Sequence, residues 1–187
     1  MKTIICLLLL LSIQVSGQGV QNFTLNNVID SKPVTLNNSS SQQGVLVIFT
    51  SNSCPFDQYY LDRIKTIADE YKESIRVLLI NSYIDQSESM EAMKEYARQC
   101  NLLLPYLADK DQQVIKMFDA KKSPEAFLLK NTGGNFSIVY RGAIDDNAQT
   151  ASEVRNAYLK NAIDQLVARE EILLPTVRPV GCSIRRD

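Results

Sequence analysis

The residues best suited to chemistry lie in one short run, 51–55, with Cys54 near its end. The apolar stretch 45–49 precedes this run and is typical of a buried strand. Apolar residues then recur at helical spacing over 60–71, and Pro55 suits the first position of that helix. Cys54 is therefore predicted to lie where a buried strand meets a helix N-terminus. The unpaired N–H groups and the dipole there favour an anion, so the thiol should shift toward the nucleophilic thiolate.

The immediate neighbours of Cys54 restrict what it can do. Ser51 stands three residues before it and Asp57 three residues after it, so a self-contained Cys-x-x-Cys pair is excluded. Any disulfide of Cys54 must use a distant cysteine. The Ser51 hydroxyl is a candidate donor to the thiolate or to a bound oxyanion; the alternative is an ordinary turn residue at the helix start.

The first 17 residues predict a cleavable signal peptide. A single positive charge at Lys2 is followed by a short apolar run and small residues, and we place cleavage between Gly17 and Gln18. The alternative is an uncleaved anchor, although the apolar run is shorter than the roughly 20 residues that a spanning helix needs. We therefore expect a secreted or periplasmic protein with no stable membrane insertion after cleavage.

The composition of the remaining chain excludes several classes of function. The full chain has a net charge of −1 and no histidine, and loss of Lys2 with the signal peptide gives −2. No basic stripe is present, so nucleic-acid binding is not expected. The absence of histidine excludes His-based triads and His metal sites, and no cysteine pair has zinc-site spacing, so we expect no metal and no cofactor.

Three cysteines remain after cleavage, which in an oxidising compartment favours one disulfide and one free thiol. Cys100 is placed on the apolar face of the helix predicted over 90–100, as a buried inert thiol. Cys182 lies in the segment 171–187, which lacks periodicity and is predicted to be a mobile tail. Because such a tail reaches far, Cys182 is the better partner for Cys54; the alternatives are an unpaired tail thiol or pairing with another chain.

The order of the predicted elements indicates an α/β fold in one domain, 18–170. Strand, helix, strand and helix alternate up to residue 100, which requires parallel crossovers. A hairpin through Gly133 and Gly134 then adds an antiparallel edge. The remaining predicted elements are a hairpin or extended lead-in over 18–43, a strand over 103–107, a helix over 112–118, and a long helix that a capping box opens at 150–153.

Two further residues near the predicted strands are candidate site residues. Pro124 follows Ser123 at a strand start, and an X–Pro bond at such a place is a candidate cis bond. Arg141 follows the last predicted strand, where it either brings a charge to the site or belongs to a solvated loop.

Several stretches of the chain together resemble a known family. They are 49–56, 88–93, 104–109, 123–127, 140–146 and 179–184. In this order they are similar to the peroxiredoxin-like redoxins of the alkyl hydroperoxide reductase/thiol-specific antioxidant superfamily. The resemblance implies a thioredoxin-like fold, a central mixed β-sheet flanked by helices with an N-terminal extension and a C-terminal tail. It also implies that Cys54 is the peroxidatic thiol, that Pro124 is cis and faces the site, and that Ser51 holds the place of the family's threonine.

The chain departs from this family in ways that bear on activity. Relatives often carry Cys-Asn-His-Cys where this chain has Ser51-Asn52-Ser53-Cys54, and no arginine stands just before Pro124. We expect a thiol-dependent oxidoreductase in which Cys54 attacks, Cys182 resolves, and peroxide reacts slowly. The expected partner is a thiol electron-donor protein or a small-molecule thiol. The alternative function is a non-catalytic binding protein that keeps Cys54–Cys182 as a structural disulfide.

Overall fold

The structure, a computed structural model, describes residues 19–186. The predicted signal peptide and its cleavage site between Gly17 and Gln18 lie outside this range. Within it, no helix combines the length and apolar character needed to cross a bilayer.

A mixed sheet forms the centre of the fold. The strands are β1 (Gly19–Val20), β2 (Thr24–Asn27), β3 (Pro33–Thr35), β4 (Gly44–Phe49), β5 (Ile75–Asn81), β6 (Tyr106–Ala108), β7 (Lys122–Ser123), β8 (Glu125–Thr132), β9 (Asn135–Gly142), β10 (Thr176–Val177) and β11 (Cys182–Ser183). The main sheet has the order β1-β9-β8-β4-β5-β6-β2-β3, and β7 and β11 form a separate pair. Strands β4, β5 and β6 are parallel, whereas β8 and β9 are antiparallel. The predicted α/β architecture with an antiparallel edge is confirmed.

Helices cover both faces of the sheet, because its central strands are apolar on both sides. The helices are α1 (Pro55–Glu70), α2 (Met90–Gln99), α3 (Gln113–Phe118) and α4 (Tyr158–Val167). All six residues of β4 are buried. Leu46 and Ile48 pack in the layer with α1, α2 and α4, whereas Val47 and Phe49 pack in the layer with α3. This alternation explains why the strand appears in the sequence as an unbroken apolar run.

The helix predicted to begin at the capping box begins later, and that prediction was wrong. Residues Ala151–Glu153 form only a 3-10 turn, and α4 starts at Tyr158. The carboxylate of Asp146 accepts the backbone N–H groups of Arg155 and Asn156 at 3.0 and 3.1 Å. These bonds hold the chain in a loop and compete with helical hydrogen bonding.

The predicted C-terminal tail lies along the domain and is attached to it by two short strands. Strand β10 pairs with β9, and β11 pairs with β7. At two places the backbone of the tail closely approaches the backbone of the domain. A Cβ on Gly142 of β9 would lie 1.6 Å from Val177 O in the tail, and a Cβ on Gly181 in the tail would lie 2.2 Å from Ser123 O. Only glycine allows these approaches, so two glycines dock the tail. Ile184 then buries its side chain in the α3 layer.

Cys100 is free, as predicted, but it is not deeply buried. Helix α2 ends at Gln99, and Cys100 is the residue that caps its C-terminus with a partly exposed side chain. Met93 and Ala97 are the buried residues of this helix. The apolar face therefore stops one turn short of Cys100.

Candidate redox site

Cys54 lies at the N-terminus of α1, as the sequence predicts. It is the residue before the first turn, and Pro55 occupies the first helical position. Its carbonyl accepts the N–H groups of Asp57 at 3.1 Å and Gln58 at 3.3 Å. Its own N–H donates to Ser51 Oγ at 3.2 Å. The sulfur of Cys54 thus lies at the positive end of a helix that follows the buried strand β4 in sequence.

The structure joins Cys54 to Cys182, which confirms the predicted pairing. The two Cα atoms are 6.1 Å apart across 128 residues of sequence. Strand β11 brings Cys182 to this position, because its pairing with β7 sets Cys182 opposite Ser123. The carbonyl oxygen of Ser123 lies 3.2 Å from Cys54 Sγ. Ser123 therefore contacts both halves of the disulfide, one through its carbonyl and one through the strand pairing.

The Ser123–Pro124 peptide bond is cis, as the family resemblance implies. The Ser123 side chain is fully buried and donates a hydrogen bond to Asp57 Oδ2. Asp57 is 3% exposed, and its other oxygen, Oδ1, has no hydrogen-bond partner among residues 19–186. Burial raises the pKa of Asp57 from 3.8 to about 7, although the Ser123 and Thr50 hydroxyls lower it in part. A buried carboxyl group whose pKa is raised toward neutrality is thus hydrogen-bonded to the residue that contacts both halves of the disulfide.

A buried carboxylate, Glu88, holds the loop in front of Cys54. It accepts hydrogen bonds from Ser51 Oγ at 2.6 Å, Asn52 N at 2.9 Å and Ser53 N at 3.1 Å, and also from the Ser53 hydroxyl. Burial alone would raise the pKa of Glu88, but the hydrogen bonds from Ser51, Ser53 and Asn52 outweigh it and lower the pKa. Glu88 is therefore the charged member of the site, and the loop donors are committed to it.

The hydrogen bonds of Ser51 are with Glu88 and with the backbone of the loop, rather than with the Cys54 sulfur. Its proton is donated to Glu88, while its oxygen accepts the N–H groups of Ser53 at 3.1 Å and Cys54 at 3.2 Å. These three bonds fix the turn that begins α1. In this arrangement Ser51 connects Glu88 to the backbone of Cys54.

Side chains from β5 and β6 extend this network. The Asn81 amide donates to Glu88 Oε2 at 2.7 Å and to the Tyr106 hydroxyl at 2.8 Å. Tyr106 in turn donates to Asn52 Oδ1 at 2.8 Å. Lys110 donates to Asn81 Oδ1 at 2.9 Å, and burial lowers its pKa to about 8. Side chains at the ends of β5 and β6 thus brace the loop before Cys54.

Arg141, the remaining candidate site residue, lies on β9 and forms hydrogen bonds with residues on either side of β7. It donates to Glu125 Oε1 and to the carbonyl of Asp119, each at 3.3 Å. The other oxygen of Glu125 accepts the N–H groups of Lys121 and Lys122 at 2.7 and 3.1 Å. The described contacts of Arg141 thus support the turn that leads to Ser123, and none of them is with Cys54 or Cys182.

Sequence reasoning missed both carboxyl groups of the site. Asp57 had a usable signal, because it shares the helical spacing of the buried residues Tyr60 and Ile64 on α1. Glu88 opens the stretch 88–93 that contributes to the family resemblance, but nothing in that polar stretch, 37 residues from Ser51, marks it as a site residue. These groups do not form a metal centre: within residues 19–186, no three Cys, Asp or Glu side chains converge as ligands.

Comparisons with solved structures show close relatives of the whole fold. A conserved protein from Geobacillus kaustophilus, described as uncharacterized, is 28% identical with a TM-score of 0.83, and the match covers 92% of each chain. A hypothetical protein from Sinorhizobium meliloti 1021 is 26% identical with a TM-score of 0.82, over 94% of this chain and 97% of the other. The peroxidoxin BcpB from Mycobacterium tuberculosis is 17% identical with a TM-score of 0.60, over 82% of this chain and 96% of the other, which shows the thioredoxin fold alone.

The sequence comparisons are consistent with this fold. A search of curated proteins found no match. The family model described as AhpC/TSA family matches residues 16–145, a range that includes Cys54, Glu88, Pro124 and Arg141 but ends before Cys182. The chain belongs to the AhpC/TSA family.

Proposed function

We propose that the protein is a thiol-disulfide oxidoreductase in which Cys54 is the attacking thiolate and Cys182 the resolving thiol. The observation that carries this proposal is the Cys54–Cys182 disulfide at a helix N-terminus, with Ser123 contacting both halves. A helix N-terminus stabilises the thiolate that must form when such a disulfide opens. The proton-exchanging carboxyl of Asp57 lies next to Ser123 and offers a buried acid–base group near neutral pH.

The reaction needs only thiols and a disulfide or peroxide as co-reactant. The Cys54 thiolate attacks one sulfur of a substrate disulfide, whose other sulfur leaves as a thiolate. The Cys182 thiolate then attacks Cys54 Sγ, the bound substrate sulfur leaves as a second thiolate, and the Cys54–Cys182 disulfide forms. With a peroxide, Cys54 takes the terminal oxygen, an alcohol or water leaves, and Cys182 converts the sulfenic acid to the disulfide with release of water.

Disulfide exchange is favoured over peroxide reduction by the hydrogen bonds in front of Cys54. A fast peroxidatic site needs donors that hold the peroxide as its O–O bond breaks, each worth about 2.7–4 kcal/mol. Here the Ser51 hydroxyl and the N–H groups of Asn52 and Ser53 are donated to Glu88. Arg141 is bound to Glu125. We therefore expect peroxide to oxidise Cys54 about a hundredfold to a thousandfold more slowly than a site with one such donor restored.

The partner in this proposal is a thiol electron donor, either a protein or a small molecule. The site of action is outside the cytoplasm, which rests on the signal peptide predicted over 1–17. An extracytoplasmic compartment lets the disulfide form and keeps it available for exchange.

The decisive measurement is the reduction potential of the Cys54–Cys182 disulfide in defined thiol buffers. A catalytic disulfide should be more oxidising than about −300 mV, and Cys100→Ser should leave the value unchanged. Alkylation rates of the Cys100→Ser, Cys182→Ser variant should give a Cys54 pKa below the free-thiol value of about 8.5. A potential below about −300 mV with an unshifted thiol would instead identify a structural disulfide in a binding protein.

Stopped-flow oxidation separates the two substrate classes. The reduced protein should react readily with a low-molecular-mass disulfide, and with hydrogen peroxide only somewhat faster than free cysteine does. Detection of the Cys54–Cys182 disulfide by peptide mass reports the product in each case. A peroxide rate near the diffusion limit would contradict the preference for disulfides, while a rate equal to free cysteine would remove peroxide as a substrate.

A further inference from the structure

A cleft of about 530 Å³ lies between the C-terminal tail and the domain. Its walls come from the chain around β7, within 119–125, from the end of β9 at 141–142, and from the tail over 176–179. We call it the tail cleft. Neither Cys54 nor Cys182 is among the residues that line it. The cleft is large enough for a small organic molecule, and it is separate from the disulfide.

The tail cleft carries more positive than negative charge. Its charged lining consists of four cations, Lys121, Lys122, Arg141 and Arg178, and two carboxylates, Asp119 and Glu125. The carboxylates already have partners, since Asp119 pairs with Lys121 and Glu125 pairs with Arg141. Within residues 19–186, Lys122 and Arg178 form no ion pair. The lining therefore has an excess of two positive charges, in a chain whose net charge is −1, and it attracts anions.

Arg141 is held in place at the wall of the tail cleft. Its guanidinium packs over the ring of Phe127, 5.2 Å from the centroid, and Nη2 donates to Glu125 Oε1 and to the carbonyl of Asp119. Both bonds use Nη2, so the N–H groups on Nη1 and Nε have no hydrogen-bond partner among the described residues. The side chain is 31% exposed, and these groups can form charge-assisted hydrogen bonds with a carboxylate.

The backbone of the tail cleft is poorly suited to phosphate. Phosphate sites usually present successive backbone N–H groups to the ligand. Here the N–H groups of Lys121 and Lys122 are donated to Glu125 Oε2 at 2.7 and 3.1 Å. The cations come from three separate segments of the chain, and the apolar residues Val177 and Pro179 line the cleft with them. This arrangement suits two carboxylates joined by an apolar chain better than a single compact anion.

From the charge and the lining, we propose that the tail cleft binds a small organic dicarboxylate. One carboxylate accepts hydrogen bonds from Arg141, the other pairs with Arg178 of the tail, and Val177 and Pro179 contact the methylene groups between them. The two negative charges match the excess of two positive charges in the lining. Binding makes and breaks no covalent bond, and it is independent of the sulfur chemistry of the proposed function.

The ligand class is tested by titrating the oxidised, nitrogen-15-labelled protein with adipate and following the backbone amide signals by NMR. Saturable shifts should concentrate in 119–125, 141–142 and 176–179. Hexanoate, which keeps the chain length but has one carboxylate, should bind at least about fivefold more weakly, as should inorganic phosphate. Neutral adipamide should cause no saturable shift. Shifts spread over the whole chain, or equal affinity for phosphate or hexanoate, would overturn the proposal.

Single variants test the residues. Arg178→Gln removes an exposed side chain with no ion pair to a described residue, and should weaken adipate binding about five- to tenfold at low salt. Arg141→Gln should weaken it at least as much. Lys130→Gln is the matched control, because it removes an exposed cation of β8 that does not line the cleft, and should bind adipate as the wild type does. Unchanged binding by Arg178→Gln, or equal weakening by Lys130→Gln, would refute the site. These readouts do not involve the sulfurs, so they stand whether or not the protein exchanges disulfides.

Discussion

Replacing Asp57 by Asn should weaken the dependence of stability on pH. Burial raises the pKa of Asp57 from 3.8 to about 7 in the folded protein. Between these values the unfolded chain has released the proton while the folded protein retains it. The unfolded state therefore binds fewer protons, and the free energy of unfolding falls as the pH rises through this window.

The size of the effect follows from the two pKa values. At about 1.36 kcal/mol per pKa unit, the rise from 3.8 to about 7 removes about 4 kcal/mol of stability once the pH is above 7. About 3 kcal/mol of this loss falls between pH 4.5 and 7.5. The Asp57→Asn side chain keeps an oxygen to accept the Ser123 hydroxyl but cannot ionise. Between pH 4.5 and 7.5, the free energy of unfolding of this variant should therefore rise by about 3 kcal/mol relative to that of the wild type.

The assay is denaturant unfolding of the oxidised protein at pH 4.5, 6.0 and 7.5. Asp62→Asn is the matched control on the same helix, since the Asp62 side chain is 94% exposed, and it should follow the wild type at every pH. If Asp57→Asn and wild type show the same pH dependence, Asp57 does not retain its proton in the folded state, and its place as the acid–base group of the site is refuted.

Two further predictions concern the loop and the tail. Glu88→Gln should lower the free energy of unfolding by about 2–4 kcal/mol, because Ser51, Asn52 and Ser53 lose a charged hydrogen-bond acceptor. The exposed control, Glu91→Gln, should stay within about 0.5 kcal/mol of the wild type in equilibrium unfolding. Gly181→Ala should slow formation of the disulfide at least about tenfold in a thiol-quench time course, because a Cβ there meets Ser123 O at 2.2 Å. Gly19→Ala, in open space, should leave that rate unchanged.

The position of the reactive cysteine was predictable because the signal is local. An apolar run for β4, a proline at the first turn and an amphipathic helix all fall within about 30 residues. The pairing with Cys182 was favoured over its alternatives because Cys-x-x-Cys was absent, Cys100 was placed on an apolar helical face, and Cys182 lay in a tail that could reach far. The first prediction used a pattern that neighbouring side chains create, whereas the second used elimination among three cysteines.

The docking of the tail could not be predicted in the same way. Strands β10 and β11 are two residues long each, and no periodicity appears over so short a span. What fixes them is the close approach of Gly142 to Val177 and of Gly181 to Ser123, between positions that are far apart in sequence. A glycine is visible in a sequence, but the backbone that it must approach is not.

The buried carboxylate of Glu88 decides which hydrogen-bond donors in front of Cys54 are occupied. The positive end of α1 and the loop N–H groups form a place for an anion, and in this chain the anion is a side chain rather than a substrate oxygen. Glu88 lowers the free energy of the folded loop, since its charge accepts donors that would otherwise be unpaired. The same bonds withdraw those donors from an incoming peroxide. A disulfide substrate has no peroxide oxygen for these donors to hold, so their commitment to Glu88 matters less for it. The stability of the loop and the proposed preference for disulfides thus have one cause.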